Sequence, residues 1–364
     1  MEDSVQSIMV LKFRNIGDVL ITTGALRSLR TRYPRAKITL CLSKGTETMV
    51  QGNPCVDQIL VLDRKKWGRG FFNLLGHELE FLQQIRKQKP DIIIDYTTGD
   101  RSTVYSLLSG ATQRLAYKPI KKDTWWKRKI YTHYPPTPEP PPHEVLKHID
   151  LLLPLGIRPV NPKLELVVEQ EDRDWAESVV SPFKQKHIVH VHPTSRWLYK
   201  CWDDQKMAET IDLIQEKLNC CVVLTSSPDE QEIKKAENIK RQCKTSPVDL
   251  SGKTSLPRLA ALSSISSVFL GVDTAPMHMA AAVGVPVVAL FGPSGVHSWS
   301  PWCDRKIVIR KPCHCFFPDT TQPQNAPHCE HARLRDCMAA IEVAEVVEAV
   351  KSFLSLGSGE EGKV

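Results

Sequence analysis

No apolar run in this chain approaches the ~20 residues needed to span a bilayer, so no membrane-crossing helix is expected. The first residues, MEDSVQSIMVLKFRNIGD, lack the layout of a signal peptide and run directly into a strand, which points to the cytoplasm. The turn after the first apolar run, Arg14 to Gly17, has one glycine and no G-x-G-x-x-G, so it is not a dinucleotide fingerprint. Gly252, Lys253 and Thr254 resemble the end of a P-loop, but the earlier glycine of G-x-x-x-x-G-K-[ST] is absent, which excludes a Walker site. Paired C-x-x-C spacing is also missing. Cys313, His314, Cys315, His328, Cys329, His331 and Cys337 crowd one segment, yet Cys313 and Cys315 are too close for finger geometry, so ordinary thiols are expected and no metal. No nucleic-acid-binding motif is present either.

What is there fits two α/β domains. A chain of 364 residues exceeds one ordinary core. Its 41% hydrophobic and 24% charged residues are those of a globular protein. The 11 cysteines of a cytoplasmic chain read as reduced thiols. Residues 1–165 hold 26 Lys and Arg against 16 Asp and Glu, while the remainder holds 22 against 25. The first half is therefore expected to meet something anionic: a phosphorylated substrate, a membrane surface or nucleic acid.

The most informative run is Val268 to Gly292, VFLGVDTAPMHMAAAVGVPVVALFG. Val268 to Val272 has the continuous apolar character of a strand inside a parallel sheet. Asp273 and Thr274 are good helix N-caps, and Pro276 sits where a missing N–H costs nothing. Gly284 suits the C-terminal cap, Pro286 prevents continuation, and Val287 to Phe291 begins another strand. A helix N-terminus at the carboxyl end of a parallel strand is where open α/β sheets hold phosphate. Capping alone would explain Asp273 and Thr274, and His278 alone could be structural. A second run near the amino terminus shifts the balance.

There, Ile8 to Phe13 reads as a buried strand, Arg14 to Gly17 as a turn, and Asp18 as the opening of a helix through about Tyr33. Asp18 is either a plain cap or a general base at the sheet's carboxyl end. A helix N-terminus keeps such a carboxylate ionised but makes it a weaker proton acceptor, which suits a proton that leaves late. Further strands are expected at Ile38 to Leu42, Ile59 to Leu62 and Ile92 to Asp95. Arg114 to Lys129, RLAYKPIKKDTWWKRK, mixes seven basic residues with two tryptophans and a tyrosine. It suits interfacial anchoring or acceptor binding, with a surface loop as the plain alternative. PPTPEPPP is a stiff extended loop, and Gly156 to Pro162 a linker, placing the boundary near residue 165. The second domain repeats the pattern: strand His187 to His192, then Thr194, Ser195 and Lys200 just past its carboxyl end, suited to phosphate oxygens.

Three runs, LKFRNIGDVLITTGALRSLR, HPTSRWLYKCW and FLGVDTAPMHMAAAVGVPVVALFGP, together resemble the lipopolysaccharide core heptosyltransferases of glycosyltransferase family 9, and most nearly the heptosyltransferase III type. The resemblance covers about residues 8 to 355. It implies a GT-B fold, two Rossmann-like α/β domains facing across a cleft: residues 1–165 for the acceptor and 166–364 for ADP-L-glycero-D-manno-heptose. Asp18 matches the family's proposed catalytic base. Thr194, Ser195 and Lys200 match donor-phosphate contacts, and Asp273, Thr274, Ala275 and His278 match the D-T-G-x-x-H segment. The chain departs at Ala275, where many members have glycine; a backbone N–H contact survives this, though close ligand approach is altered. Arg196 to Tyr199 fall in a loop one residue longer than in heptosyltransferase I and are left unassigned. Arg14, Arg64, Lys65, Lys66, Arg69 and Arg114 resemble the basic acceptor-side groups.

The implied reaction is inverting transfer of heptose onto an inner-core heptose hydroxyl, with no cofactor and no metal. The implied partners are ADP-heptose, the lipopolysaccharide inner core and the anionic cytoplasmic face of the inner membrane, not nucleic acid. The sequence leaves the oligomeric state open. Rival readings are a family member of the heptosyltransferase I or II type, another nucleotide-sugar donor, or a non-catalytic nucleotide-binding protein docked on membranes.

Overall fold

The computed structural model describes residues 5–63, 71–118, 122–136, 142–158, 162–311 and 336–356. Two compact units emerge, Met1–Val167 and Val168–Val364. The boundary expected from the charge shift lies two residues earlier, between 165 and 166. Arg64, Lys65, Lys66 and Arg69 lie outside the described residues, as do Cys313, His314, Cys315, His328, Cys329 and His331 and most of the proline run.

The first unit runs β1 (Ser7–Lys12), α1 (Ile16–Arg32), β2 (Lys37–Ser43), β3 (Gln58–Leu62), α2 (Phe71–Lys87), β4 (Ile92–Asp95), α3 (Asp100–Leu108), β5 (Gln113–Ala116) and α4 (Glu144–Asp150). Its strands are all parallel in the order β3-β2-β1-β4-β5. β1 is buried along its whole length, as its unbroken apolar run requires of a central strand covered on both faces. Phe13, Phe81 and Tyr105 pack with ring centroids 5.3–6.0 Å apart against Met9, Leu11 and Ile93. Each such side chain contributes roughly 1.5–3 kcal/mol on burial. α1 starts two residues before the expected position: Asn15 is its N-cap and Asp18 lies in its first turn. Asp18 is therefore no cap. The basic aromatic segment forms a 3₁₀ turn over Lys122–Lys129.

The second unit runs α5 (Gln170–Val180), β6 (Ile188–His192), α6 (Asp204–Lys217), β7 (Cys221–Leu224), α7 (Glu230–Gln242), β8 (Val248–Asp249), α8 (Leu256–Ser264), β9 (Val268–Val272), α9 (Ala275–Ala282), β10 (Val287–Phe291), α10 (Val296–Trp299), β11 (Lys306–Arg310), α11 (Asp336–Ala339) and α12 (Val343–Leu356). The six parallel strands take the order β11-β10-β9-β6-β7-β8, the doubly wound arrangement in which the chain reverses direction across the sheet between its first and fourth strands, β6 and β9. Val189, Val191, Leu270 and Leu290 pack under helices that include α6, α7 and α12 on one face; Phe269, Ala289 and Phe291 meet α9 on the other. Local signals set the helix ends. Asp203 Oδ1 accepts from the N–H groups of Gln205 and Lys206, and Asp229 Oδ1 from those of Gln231 and Glu232. Gly284, at φ +84°, ends α9. Both units are thus Rossmann-like, the fold class the sequence predicts.

Candidate functional site

In each unit the chemistry-bearing residues follow the two strands that flank the point where the winding reverses. In the first unit these strands are β1 and β4, hydrogen-bonded in register from Ile8↔Ile92 to Leu11↔Asp95. The loops at their carboxyl ends are stitched together. Phe13 N–H donates to Thr97 Oγ1 at 2.8 Å, and Arg14 Nη2 to the Thr97 carbonyl at 3.2 Å. The β4 loop is itself held by Asp95, which is fully buried and accepts from the Thr97 and Thr98 N–H groups at 2.8 and 2.9 Å and from the Tyr131 hydroxyl. Burial raises its pKa while these hydrogen bonds oppose the rise. Thr98 sits at φ +52°, an unusual backbone state for threonine that the surrounding bonds impose.

Asp18 is partly buried, its side chain 22% exposed, and its carboxylate is bracketed. Lys12 Nζ lies 3.2 Å from Oδ1, and Asn15 Nδ2 donates to Oδ2 at 3.3 Å. Lys12 ends β1 with a side chain only 4% exposed, and its Nζ is also 3.3 Å from His148 Nε2 on α4. Burial lowers the Lys12 pKa, and the neighbouring Asp18 carboxylate opposes that. Neither Lys12 nor His148 was singled out from sequence. Lys12 is visible there as a charged residue ending an apolar strand, whereas nothing marks His148 as its neighbour. Arg14 joins this group. Arg114 does not: it lies on the edge strand β5, paired with Ile93 partway along β4, with its guanidinium donating to the Ile130 and Ala111 carbonyls. Lys127, nearly buried, instead closes the β4 side, 2.7 Å from Asp100 Oδ1 and donating to the Thr98 carbonyl at 3.3 Å.

In the second unit the flanking strands are β6 and β9. After β6 come Thr194 and Ser195, both buried, and a short 3₁₀ turn, Leu198–Lys200. After β9 come Asp273 and Thr274, then α9. Lys200 Nζ donates to Asp273 Oδ2 at 2.6 Å, so two predicted donor residues from different runs meet directly. This corrects the capping role expected of Asp273 and Thr274: Thr274 is the N-cap of α9 but makes no side-chain cap bond, and Asp273 turns to Lys200. At the start of α9, Pro276 has no N–H and the Met277 N–H donates to the Thr274 carbonyl at 3.1 Å, so Ala275 carries the N–H that a side-chain cap would otherwise take. His278 is buried within α9, its ring 6.5 Å from that of Trp299.

Two further groups escaped sequence reasoning. Thr194 Oγ1 donates to Glu232 Oε2 at 2.7 Å, and Glu232, in the first turn of α7, is 5% exposed. Beyond β10, Ser294 Oγ is buried without a hydrogen-bond partner among the described residues, a donor left over in the loop that follows the strand. The Gly-Pro-Ser-Gly turn that carries it was the available signal. Trp197, beside Ser195, is 54% exposed, with the Arg196 guanidinium 5.6 Å from its ring centroid. Among the described residues no three His, Cys, Asp or Glu side chains gather as a metal site, and no helix is long and apolar enough to cross a membrane.

Residues 79–326 match glycosyltransferase family 9 (heptosyltransferase). The chain is 30% identical over 343 residues to lipopolysaccharide heptosyltransferase 3 of Escherichia coli K12, covering 93% of this chain and 95% of that one. It is 24% identical over 293 residues to the lipopolysaccharide core heptosyltransferase OpsX of Haemophilus influenzae, covering 79% and 80%. Among solved structures, the glycosyl transferase family 9 protein of Veillonella parvula superposes with a TM-score of 0.84 at 22% identity, covering 96% of this chain and 98% of that one. The E. coli heptosyltransferase WaaC with ADP superposes with a TM-score of 0.73 at 15% identity, covering 96% and 100%.

Proposed function

This chain belongs to glycosyltransferase family 9, and we propose that it transfers L-glycero-D-manno-heptose from ADP-heptose onto an inner-core heptose of lipopolysaccharide, with inversion at the anomeric carbon. It is a glycosyltransferase similar to heptosyltransferase 3. The observation that carries the residue assignment is where the polar groups lie. Thr194, Ser195 and Lys200 follow one strand beside the winding reversal, and Asp273, Thr274, Ala275 and His278 follow the other. The second unit then takes the donor and the first the acceptor.

In this reading the donor diphosphate lies against the Ala275 N–H at the start of α9 and the Lys200 ammonium. One of the three Lys200 donors is used by Asp273, leaving two for phosphate oxygens. The acceptor hydroxyl gives its proton to Asp18 as it attacks the anomeric carbon from the side opposite ADP. The transition state has oxocarbenium character. ADP leaves as a stable anion whose growing charge Lys200 and the α9 amino end offset, so the reaction proceeds without a metal. Arg14, with Arg64, Lys65, Lys66 and Arg69 of the same basic unit, meets the phosphates and acidic sugars of the inner core. These charges also hold the enzyme peripherally at the anionic cytoplasmic face of the inner membrane.

The test is transfer from ADP-heptose to an isolated inner-core acceptor, followed by mass spectrometry. Asp18→Asn should cut turnover by a factor on the order of 100 to 10,000 and leave ADP affinity near that of the wild type. Wild-type protein that binds ADP but adds no heptose to any inner-core acceptor would refute the reading.

A further inference from the structure

We propose that Lys12 is the positioning residue of the reaction: its buried ammonium, held between Asp18 Oδ1 and the neutral ring of His148, fixes the carboxylate so that Oδ2 faces the acceptor hydroxyl. This rests on the reading of Asp18 as the base. The geometry is specific. Lys12 is the last residue of β1, Asp18 lies in the first turn of α1, and His148 belongs to α4, so three separate elements converge on one nitrogen. An ammonium has three donors and no lone pair. Its 3.3 Å contact with His148 therefore requires the lone pair on Nε2 and the ring proton on Nδ1. Nδ1 is buried and has no hydrogen-bond partner among the described residues, so the tautomer is set by Lys12. The Tyr96 ring, 4.6 Å away, and its hydroxyl, donating to the His148 carbonyl at 2.8 Å, hold the imidazole in place.

The charges around the ammonium define its state. Asp18 and Glu144 favour the charged form, Arg14 disfavours it, and burial disfavours it most. His148 stays neutral: burial comes first, then Lys12, Lys147 and His143, all pushing its pKa well below the ordinary value. Lys12 is thus a cation with one carboxylate in contact and one uncharged acceptor. With Oδ1 engaged by that cation, Oδ2 keeps, among the described residues, the 3.3 Å contact to exposed Asn15. A carboxylate free to rotate would spend part of its time with neither oxygen aimed at the acceptor, and orientation of this kind is a large part of catalysis.

The experiment measures kcat, KM for ADP-heptose and the pH profile for the wild type, Lys12→Met, Lys12→Arg and His148→Gln, with Asp18→Asn alongside. Lys12→Met should lower kcat about tenfold or more while leaving KM for the donor and the affinity for ADP unchanged. The wild type should lose activity on the alkaline side below the ordinary lysine value near 10.4, because loss of the Lys12 proton releases Asp18. Lys12→Arg, which stays charged, should recover part of kcat and move that limb to higher pH. His148→Gln, which keeps an acceptor, should retain more activity than Lys12→Met. A purely structural lysine would not move the alkaline limb, and a limb unchanged in Lys12→Arg overturns the proposal even if Lys12→Met fails to fold. Full activity in Asp18→Asn would instead overturn the base itself; loss in Asp18→Asn with wild-type kcat in Lys12→Met sinks only the role given to Lys12.

Discussion

Lys200 and Asp273, 73 positions apart, meet at 2.6 Å across the two central strands of the second sheet. The Asp273 side chain is 8% exposed and that of Lys200 21%, so the pair is partly shielded from water and its geometry is held. The carboxylate aims the ammonium, and the ammonium neutralises a carboxylate that would otherwise repel a diphosphate.

Lys200→Ala should therefore weaken ADP and ADP-heptose binding twice over, by removing a charged donor and by baring Asp273. A charge-assisted hydrogen bond of about 1.5–3 kcal/mol corresponds to a loss of roughly ten- to a hundredfold. Calorimetry with ADP decides it, and unchanged affinity would contradict the phosphate role.

Thr194→Val keeps the shape of the side chain but takes the hydroxyl from Glu232. A buried carboxylate without that donor should cost about 1–3 kcal/mol of stability, read as a lower urea midpoint. Thr194→Ser should restore most of it. Equal midpoints for valine and threonine would mean that the bond is not what holds this loop.

Gly271 is in mid-strand for a reason of space. A Cβ there would lie 2.9 Å from the His192 carbonyl oxygen and 2.7 Å from the Phe269 ring. The carbonyl belongs to the adjacent strand and cannot yield cheaply, so Gly271→Ala should destabilise the protein by roughly 1–3 kcal/mol. Thermal unfolding tests this; an unchanged Tm would show that the sheet gives way.

Acid should loosen the second unit before the carboxylates titrate. His190 and His192 are buried and share the Thr225 hydroxyl at 2.8 Å each. Burial holds the His190 pKa well below its ordinary value and pushes that of His192 down to about 3. The unfolded chain takes up these protons near pH ~6.5 and the folded one only at lower pH. Their neutral burial therefore costs nothing above that value, and stability falls as pH drops below it, by at most about 1.4 kcal/mol per pH unit for each group. Urea midpoints at pH 7 and pH 5 measure the fall. His192→Asn should flatten it, and an identical slope in that variant would assign the effect elsewhere.

Much of this protein was legible in the residues alone, because the signals concerned are local. Continuous apolar runs mark strands buried on both faces, as in Val268–Val272. Asp203 caps α6, and Gly284 ends α9, within one turn of the chain. The loops bearing Asp18, Thr194 and Thr274 could be assigned to carboxyl ends of strands without coordinates. Tertiary structure decided which of these residues touch. A capping aspartate and one that holds a lysine look alike in sequence. Asp273 became the second kind only because strand order sets β9 beside β6. The same holds for Thr194 with Glu232, 38 positions on, and for Lys12 with His148, 136 positions on. Periodicity and caps act over one turn of chain, whereas a hydrogen bond acts over about 3 Å of space, and only the folded sheet converts the first kind of distance into the second.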